Sequence, residues 1–285
     1  MAPPPPLQLD ISPALAVAFG QEPVRSRMGE IARRQREEYG VPVPTPVLRV
    51  SAGLEEGEYR LTAFGARLAS GRLQLEGGLR PARPGVADAR LPGFFPPVSG
   101  EWVTEPSEDA RPPLEVMVDH CRGALQRRLG GFLGIQETSN LFGRMQRDYP
   151  DLVKEMLRVV APQRVADVLR RLAEEGVPIR NLRDAFEAIT DVGGREKDVV
   201  LLTEYVRVAL KREIADRYSD SDRNLHVLLI HPELEDKLRQ SVRVAGGASQ
   251  LAISPELAAR LGNEVRGHLG RMGQGVRPVL LCSLD

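Results

Sequence analysis

From Gln136 to Tyr218 apolar residues return every three or four positions through successive segments. That period places one buried stripe on each of several helices. The stripes are Leu152, Val153, Met156, Leu157; then Val165, Val168, Leu169, Leu172; then Leu182, Phe186, Ile189; then Val199, Leu202, Tyr205, Val206, Ala209, Leu210, Ile214. Asp151 after Pro150 caps one helix, and Gly176 closes another before Val177-Pro178 opens the next. The spacing predicts a compact helical bundle with short connections.

The chain on either side has a different texture. Four prolines at positions 3 to 6 read as a stiff polyproline leader. Leu7, Leu9 and Ile11 alternate as a short strand, and Val24, Met28, Ile31 and Tyr39 mark a helix ended by Gly40. The prolines at 42, 44 and 46 lead into a strand at Val47–Val50. Between Gly53 and Pro113 glycine and proline punctuate two strands, Tyr59–Phe64 and Arg72–Leu75; helix resumes with Leu114, Met117, Val118, Cys121, Leu125 and Leu129. The last part alternates strand and helix: strands at Leu225–Ile230, Gln250–Ile253 and Pro278–Ser283, and helices near Pro232–Val242 and from Ser254-Pro255 to Leu269. Three strands separated by helices imply a small crossover-connected α/β sheet.

The fold class expected is therefore α+β with several subdomains: an α/β first subdomain with a small inserted β-containing subdomain, a central helical bundle, and a C-terminal small α/β subdomain. The boundaries are residues 1–6 for the leader, 7–52 and 113–130 for the first subdomain, 53–112 for the insertion, 131–218 for the bundle and 219–285 for the last subdomain.

The 42% hydrophobic content of 285 residues suffices for real cores. Thirty-nine basic residues balance thirty-nine acidic ones, so no global field draws in nucleic acid. No run reaches the roughly 18 apolar residues of a membrane-spanning helix, and the N-terminus has no basic or apolar signal region; a soluble chain is expected. Cys121 and Cys282 each sit on an apolar segment and are expected to be buried free thiols.

Catalysis needs converging groups, and the sequence supplies no clear set. His120, His226, His231 and His268 are dispersed, and His226 and His231 bracket a strand. Neither the Gly193-Gly194 to Lys197 stretch nor Ala245-Gly246-Gly247-Ala248 has phosphate-loop spacing. The expectation is a non-enzyme with no catalytic residue, no cofactor and no metal. The charged pairs Arg33-Arg34, Arg170-Arg171 and Glu174-Glu175 read as solvated helix faces or as a subunit interface. Phe94-Phe95, in a proline-rich loop, either fill the core of the inserted unit or present an apolar anchor to a partner.

Several motifs in the helical part resemble a known family. Phe132-Leu133-Gly134-Ile135-Gln136-Glu137-Thr138 is followed by Tyr149-Pro150-Asp151-Leu152-Val153-Lys154-Glu155, Val168-Leu169-Arg170-Arg171-Leu172 and Gly176-Val177-Pro178-Ile179-Arg180-Asn181-Leu182. Then come Arg195-Glu196-Lys197-Asp198 and Leu201-Leu202-Thr203-Glu204-Tyr205-Val206-Arg207. In this order they resemble the major export-gate family of type III secretion systems, the FHIPEP family. Gln136-Glu137-Thr138 and Arg195-Glu196-Lys197-Asp198 lean toward its injectisome branch (SctV-like) over the flagellar one (FlhA-like).

The resemblance implies a cytosolic ring domain, nonameric, at the cytosolic face of the bacterial inner membrane. It implies docking of chaperone-cargo complexes, a gatekeeper and the ATPase stalk protein, and membrane attachment only through an N-terminal domain. Ring contacts are expected at Arg180, Asp184, Glu187, Glu204 and Arg207 on helices of the bundle, and partner contacts at Phe94 and Phe95. The family pattern has a membrane half ahead of this region and a further helix and strand after it. A fragment or separate gene product, its last subdomain truncated with an open sheet edge, is therefore expected. A free-standing soluble adaptor derived from the domain, or the flagellar counterpart, are the alternatives.

Overall fold

A computed structural model describes residues 3–82, 90–105, 107–245, 248–272 and 278–282. It forms two compact units, Met1–Phe132 with Glu174–Gly176, and Leu133–Ala173 with Val177–Asp285.

The first unit opens with β1 (Leu7–Ile11), α1 (Pro13–Phe19), α2 (Gln21–Tyr39) and β2 (Val47–Val50). There follow β3 (Glu58–Ala63), β4 (Ala66–Arg72), β5 (Gly78–Pro81), β6 (Gly100–Val103) and α3 (Pro113–Gln126), then a 3-10 turn at Leu129–Phe132. The main sheet has the order β2-β1-β3-β4, with β1 parallel to β2 and antiparallel to β3. Alternation decides its faces: Leu7, Leu9, Ile11, Tyr59 and Leu61 are buried, and Gln8, Asp10, Arg60 and Thr62 take the opposite side. α3 packs on β4 and on α2, whose Val24, Met28 and Ile31 are buried. Each large apolar side chain closed off there contributes about 1.5–3 kcal/mol.

Three differences from the sequence expectation have local causes. The strand expected at Arg72–Leu75 instead runs Ala66–Arg72. Phe64 and Gly65 both have positive φ, 50° and 83°, so they form a tight hairpin that joins β3 to β4 without the usual Asn-Gly signal. Residues from 53 onward therefore do not all belong to an insertion, because β3 and β4 complete the first sheet; the antiparallel pair β5-β6 lies outside it. α1 was not anticipated: Ser12 accepts a hydrogen bond from the Leu15 amide at 3.4 Å and Pro13 sets the first turn.

The second unit carries α4 (Ile135–Asp148), α5 (Pro150–Val159), α6 (Pro162–Glu174), α7 (Leu182–Val192), α8 (Val199–Ala209) and α9 (Lys211–Tyr218). Val153, Met156, Val165, Leu169, Leu172, Phe186, Ile189, Leu202 and Val206 form its core. Leu157 and Tyr205, expected in the buried stripes, are exposed. Gly176, at φ 74°, ends α6 with the Val177 amide donating back to the Leu172 carbonyl. The next helix begins later than expected, at Leu182, because Val177 to Ile179 run as buried non-helical chain and Asn181 caps α7.

The final elements are β7 (Val227–Leu229), α10 (Pro232–Gln240), β8 (Val242–Ala245), β9 (Ala248–Leu251), α11 (Pro255–Arg271) and β10 (Val279–Leu281). β7 and β10 are parallel neighbours, as a crossover requires. The expected middle strand does not join them: β9 pairs antiparallel with β8 as a separate hairpin, where a strand directly after α10 had not been anticipated. Gly246-Gly247, between those strands, and Ser283 lie outside the described residues. Among residues 211–282 whose side chains are described, none is buried. Cys121 is buried as expected; Cys282, just after β10, is exposed.

Candidate functional site

The two phenylalanines in the proline-rich loop take opposite roles. The loop joins β4 through a reciprocal pair of backbone hydrogen bonds, Ser70 to Phe95 at 2.7 Å and Phe95 to Ser70 at 2.8 Å. In an extended segment neighbouring side chains face opposite ways. Phe94 turns inward, edge-on to Tyr59 and His120 with centroids 6.4 and 5.4 Å away. Gly71 leaves the room for this, since a Cβ there would stand 2.7 Å from both the Phe94 ring and the Tyr59 hydroxyl. Phe95 is 47% exposed, with the Arg67 guanidinium 4.8 Å above its ring. Of the two partner-contact candidates only Phe95 presents a surface; Phe94 is core.

His120 links the same loop to the sheet. Its Nε2 lies 2.8 Å from the Pro96 carbonyl, which only accepts, so Nε2 carries the proton. Nδ1 then accepts from the Tyr59 hydroxyl at 2.6 Å. Burial lowers the His120 pKa, opposed by the Pro96 hydrogen bond and assisted by Arg127. Burial also drives Tyr59 well above its ordinary value and pushes the Cys121 thiol up to about 12. Every group here is held neutral, as a structural clamp requires.

The ring-contact candidates lie on the second unit. Arg180 belongs to the connection before α7 and not to a helix, because the helix starts only at the Asn181 cap. Asp184, in the first turn, accepts from Asn181 Nδ2 at 2.8 Å. Glu187 pairs with Arg183 at 3.1 Å, and Glu204 with Arg207 at 2.9 Å, each pair within its own helix. Such pairs contribute about 0.3–0.5 kcal/mol to a helix.

The Arg195-Glu196-Lys197-Asp198 motif closes the α7–α8 connection. Asp198 caps α8 by accepting from the Val200 amide at 2.7 Å, and Glu196 accepts from the Asp198 amide at 2.7 Å. Arg164 on α6 donates to the Gly193 and Glu196 carbonyls at 3.3 and 2.7 Å, tying the turn to the bundle.

Two surfaces were missed in the sequence. One is an apolar groove between α4, α5 and α6, lined by Ile135, Thr138, Phe142, Leu157, Pro162 and Ala166. The Thr138 hydroxyl is buried there with no hydrogen-bond partner among the described residues. The visible signal was α5, which carries more apolar residues than one stripe needs. The other is the outer face of the main sheet, where Arg49, Arg60 and Arg67 meet beside Asp10. Sequence distance concealed it.

The histidines do not form one centre. His226 pairs with Asp220 at 3.0 Å, while His231 and His268 line an apolar groove with Glu264 in which no hydrogen bond joins them. Among the described residues no group of three His, Cys, Asp or Glu is placed to hold a metal, and no helix is long and apolar enough to cross a membrane.

The two units, with a mixed sheet, a helical bundle and a small terminal α/β part, define an α+β multi-subdomain protein of the kind seen in the cytosolic domains of secretion proteins. Over 98% of its length the chain matches the nonameric EPEC SctV-C structure, covering 86% of that chain with a TM-score of 0.76 at 26% identity. It matches CdsV in the Chlamydia pneumoniae CdsV and CdsO complex with a TM-score of 0.78 at 26% identity, covering 98% of this chain and 86% of that one. The FHIPEP family model matches residues 2–285, and the chain belongs to that family of type III secretion export-gate proteins. The low calcium response locus protein D of Yersinia pestis is 33% identical over 98% of this chain, which spans 42% of that relative's length.

Proposed function

We propose that this chain is the ring-forming cytosolic domain of a type III secretion export gate of the injectisome kind, with a docking role and no catalysis. The observation that carries the reading is the match, over nearly the whole chain, to a domain solved as a nonamer. In this reading copies close into a ring at the cytosolic face of the bacterial inner membrane, and repeated weak contacts act together on each incoming partner. Chaperone-cargo complexes, the gatekeeper and the ATPase stalk protein are the proposed partners; the match to CdsV, solved together with CdsO, supports a protein-docking surface.

The proposed ring contacts are Arg180, Asp184, Glu187, Glu204 and Arg207. Glu187 and Glu204 are the ones to reverse, since each sits in an ion pair within its own helix, with Arg183 and Arg207, that a charge reversal turns into repulsion. Light scattering across a concentration series tests the assembly: mass is expected to grow from the 31.4 kDa monomer toward a closed ring. A strict monomer at high concentration counts against it, and unchanged assembly in Glu187→Lys with Glu204→Lys counts against those contacts.

A further inference from the structure

The outer face of the β2-β1-β3-β4 sheet carries arginines whose guanidinium groups are pinned but not used up. Asp10 is only 6% exposed, and its carboxylate accepts from Gln8 Nε2 at 2.9 Å and from Arg49 Nε at 2.6 Å. That bond engages Arg49 through its inner nitrogen, on a side chain 62% exposed. Arg67, across the sheet on β4, has its guanidinium carbon 4.8 Å from the centre of the Phe95 ring and makes no ion pair with any described residue. Stacking occupies the face of a guanidinium and leaves its N–H edge free. Arg60 stands between them, and among the described residues its ion pair is a long 3.3 Å contact to Glu58.

The three arginines and Asp10 line one groove of about 650 Å³, bordered by Pro4 and Pro5. Its lining has two positive charges in excess. From β2 to β4 the sheet spans three strand spacings, roughly 14 Å, which is the reach of about four extended residues. Two guanidinium groups carried by the two edge strands, Arg49 reaching in to Asp10 and Arg67 over Phe95, with proline rings along the edge, match carboxylates interleaved with apolar side chains. A balanced chain charge and these apolar borders favour a polypeptide over a nucleic acid.

We propose that this groove docks an acidic, extended segment of a partner protein, with Arg49 and Arg67 as the two carboxylate anchors and Phe95 as the apolar one. The proposal rests on the protein-docking reading only in taking a polypeptide as the ligand. Failure to form a ring leaves the test below untouched, and failure of the test leaves the ring in place.

The probe is a short fluorescein-labelled peptide alternating glutamate and leucine, titrated with the whole chain at low ionic strength and followed by anisotropy; its glutamine counterpart is the control. The glutamate peptide is expected to bind and the glutamine peptide not to. Arg67→Gln and Arg49→Gln should each weaken binding by roughly tenfold, the scale of one lost charge-assisted hydrogen bond. Arg158→Gln, on an exposed α5 arginine paired with Glu155, should change nothing. Arg67→Gln leaves Asp10 and its partners in place, so it remains decisive if Arg49→Gln lowers stability. Absence of binding, equal binding of the glutamine peptide, or affinity indifferent to both groove substitutions overturns the proposal. So does a change in the solution mass of the chain alone on groove substitution with no change in peptide affinity, which makes the face a contact between copies.

Discussion

β1 and β7 start from similar material and end in different surroundings. Both are short strands that carry large aliphatic residues, Leu7, Leu9 and Ile11 in one and Val227 to Leu229 in the other, and each has a parallel neighbour. β1 lies between β2 and β3, and Leu7, Leu9 and Ile11 are almost wholly buried in the core that α2 and α3 close. Among the described residues β7 pairs with β10 alone, and Leu229 is 75% exposed. Apolar content qualifies a strand for a core, but the elements that pair with it and close over it decide whether a core forms.

The sharpest way to break the comparison is to truncate one leucine in each strand. Leu9→Ala is expected to cost about 2–5 kcal/mol in urea unfolding, the range for a large-to-small change in a packed interior. Leu229→Ala should stay within about 0.5 kcal/mol, because it removes surface that is already wet. Similar losses for both would mean that β7 is as enclosed as β1.

Next in size is the clamp that only the first unit has. Tyr59→Phe removes the donor to His120 Nδ1 and leaves that nitrogen buried without a partner, a loss of about 1–3 kcal/mol by the same measurement. A paired helix-cap test follows. Ser12 caps α1 and Ser254 caps α11 with the same Ser-Pro arrangement. Ser12→Ala should cost about 1 kcal/mol, the usual worth of a cap. Ser254→Ala should fray its helix in amide exchange while the urea midpoint barely moves, since α11 has no buried residue.

The gentlest effect is on pH. His120 is held below its ordinary value of 6.5, so between the folded value and 6.5 the unfolded chain binds more protons than the folded one. Stability contributed by His120 is therefore full above 6.5 and falls as pH drops through that window. Urea midpoints at about pH 5 and about pH 8 should differ more in the parent than in His120→Gln, because only the parent has the imidazole to charge. An unchanged pH difference in the variant would remove His120 as a source of acid sensitivity.

Local periodicity carried much of the fold. The stripes of α2, α3 and the bundle helices were visible because a 3.6-residue repeat needs only nearby residues, and β1 because period two does as well. The hairpin of β3 and β4 was not, since Phe64-Gly65 adopts its turn without the residue pair that usually announces one. Phe94 and Phe95 were legible as a pair but not as one inward and one outward ring, a choice made by the bridge to Ser70. The arginine groove was illegible for a different reason. Arg49, Arg60 and Arg67 lie on three strands, and only the register of the sheet brings them to one face.

The two cysteines divide along the line that separates β1 from β7. Cys121 is enclosed, with its thiol pushed up to about 12 by burial, while Cys282 stands at the surface. Thiolate is the form that alkylating reagents attack, so the native protein should take one label quickly at Cys282 and a second only when the first unit opens. The chain thus contains its own clock: the interval between the two labels, read by mass spectrometry, times the breathing of the sheet core without any added dye.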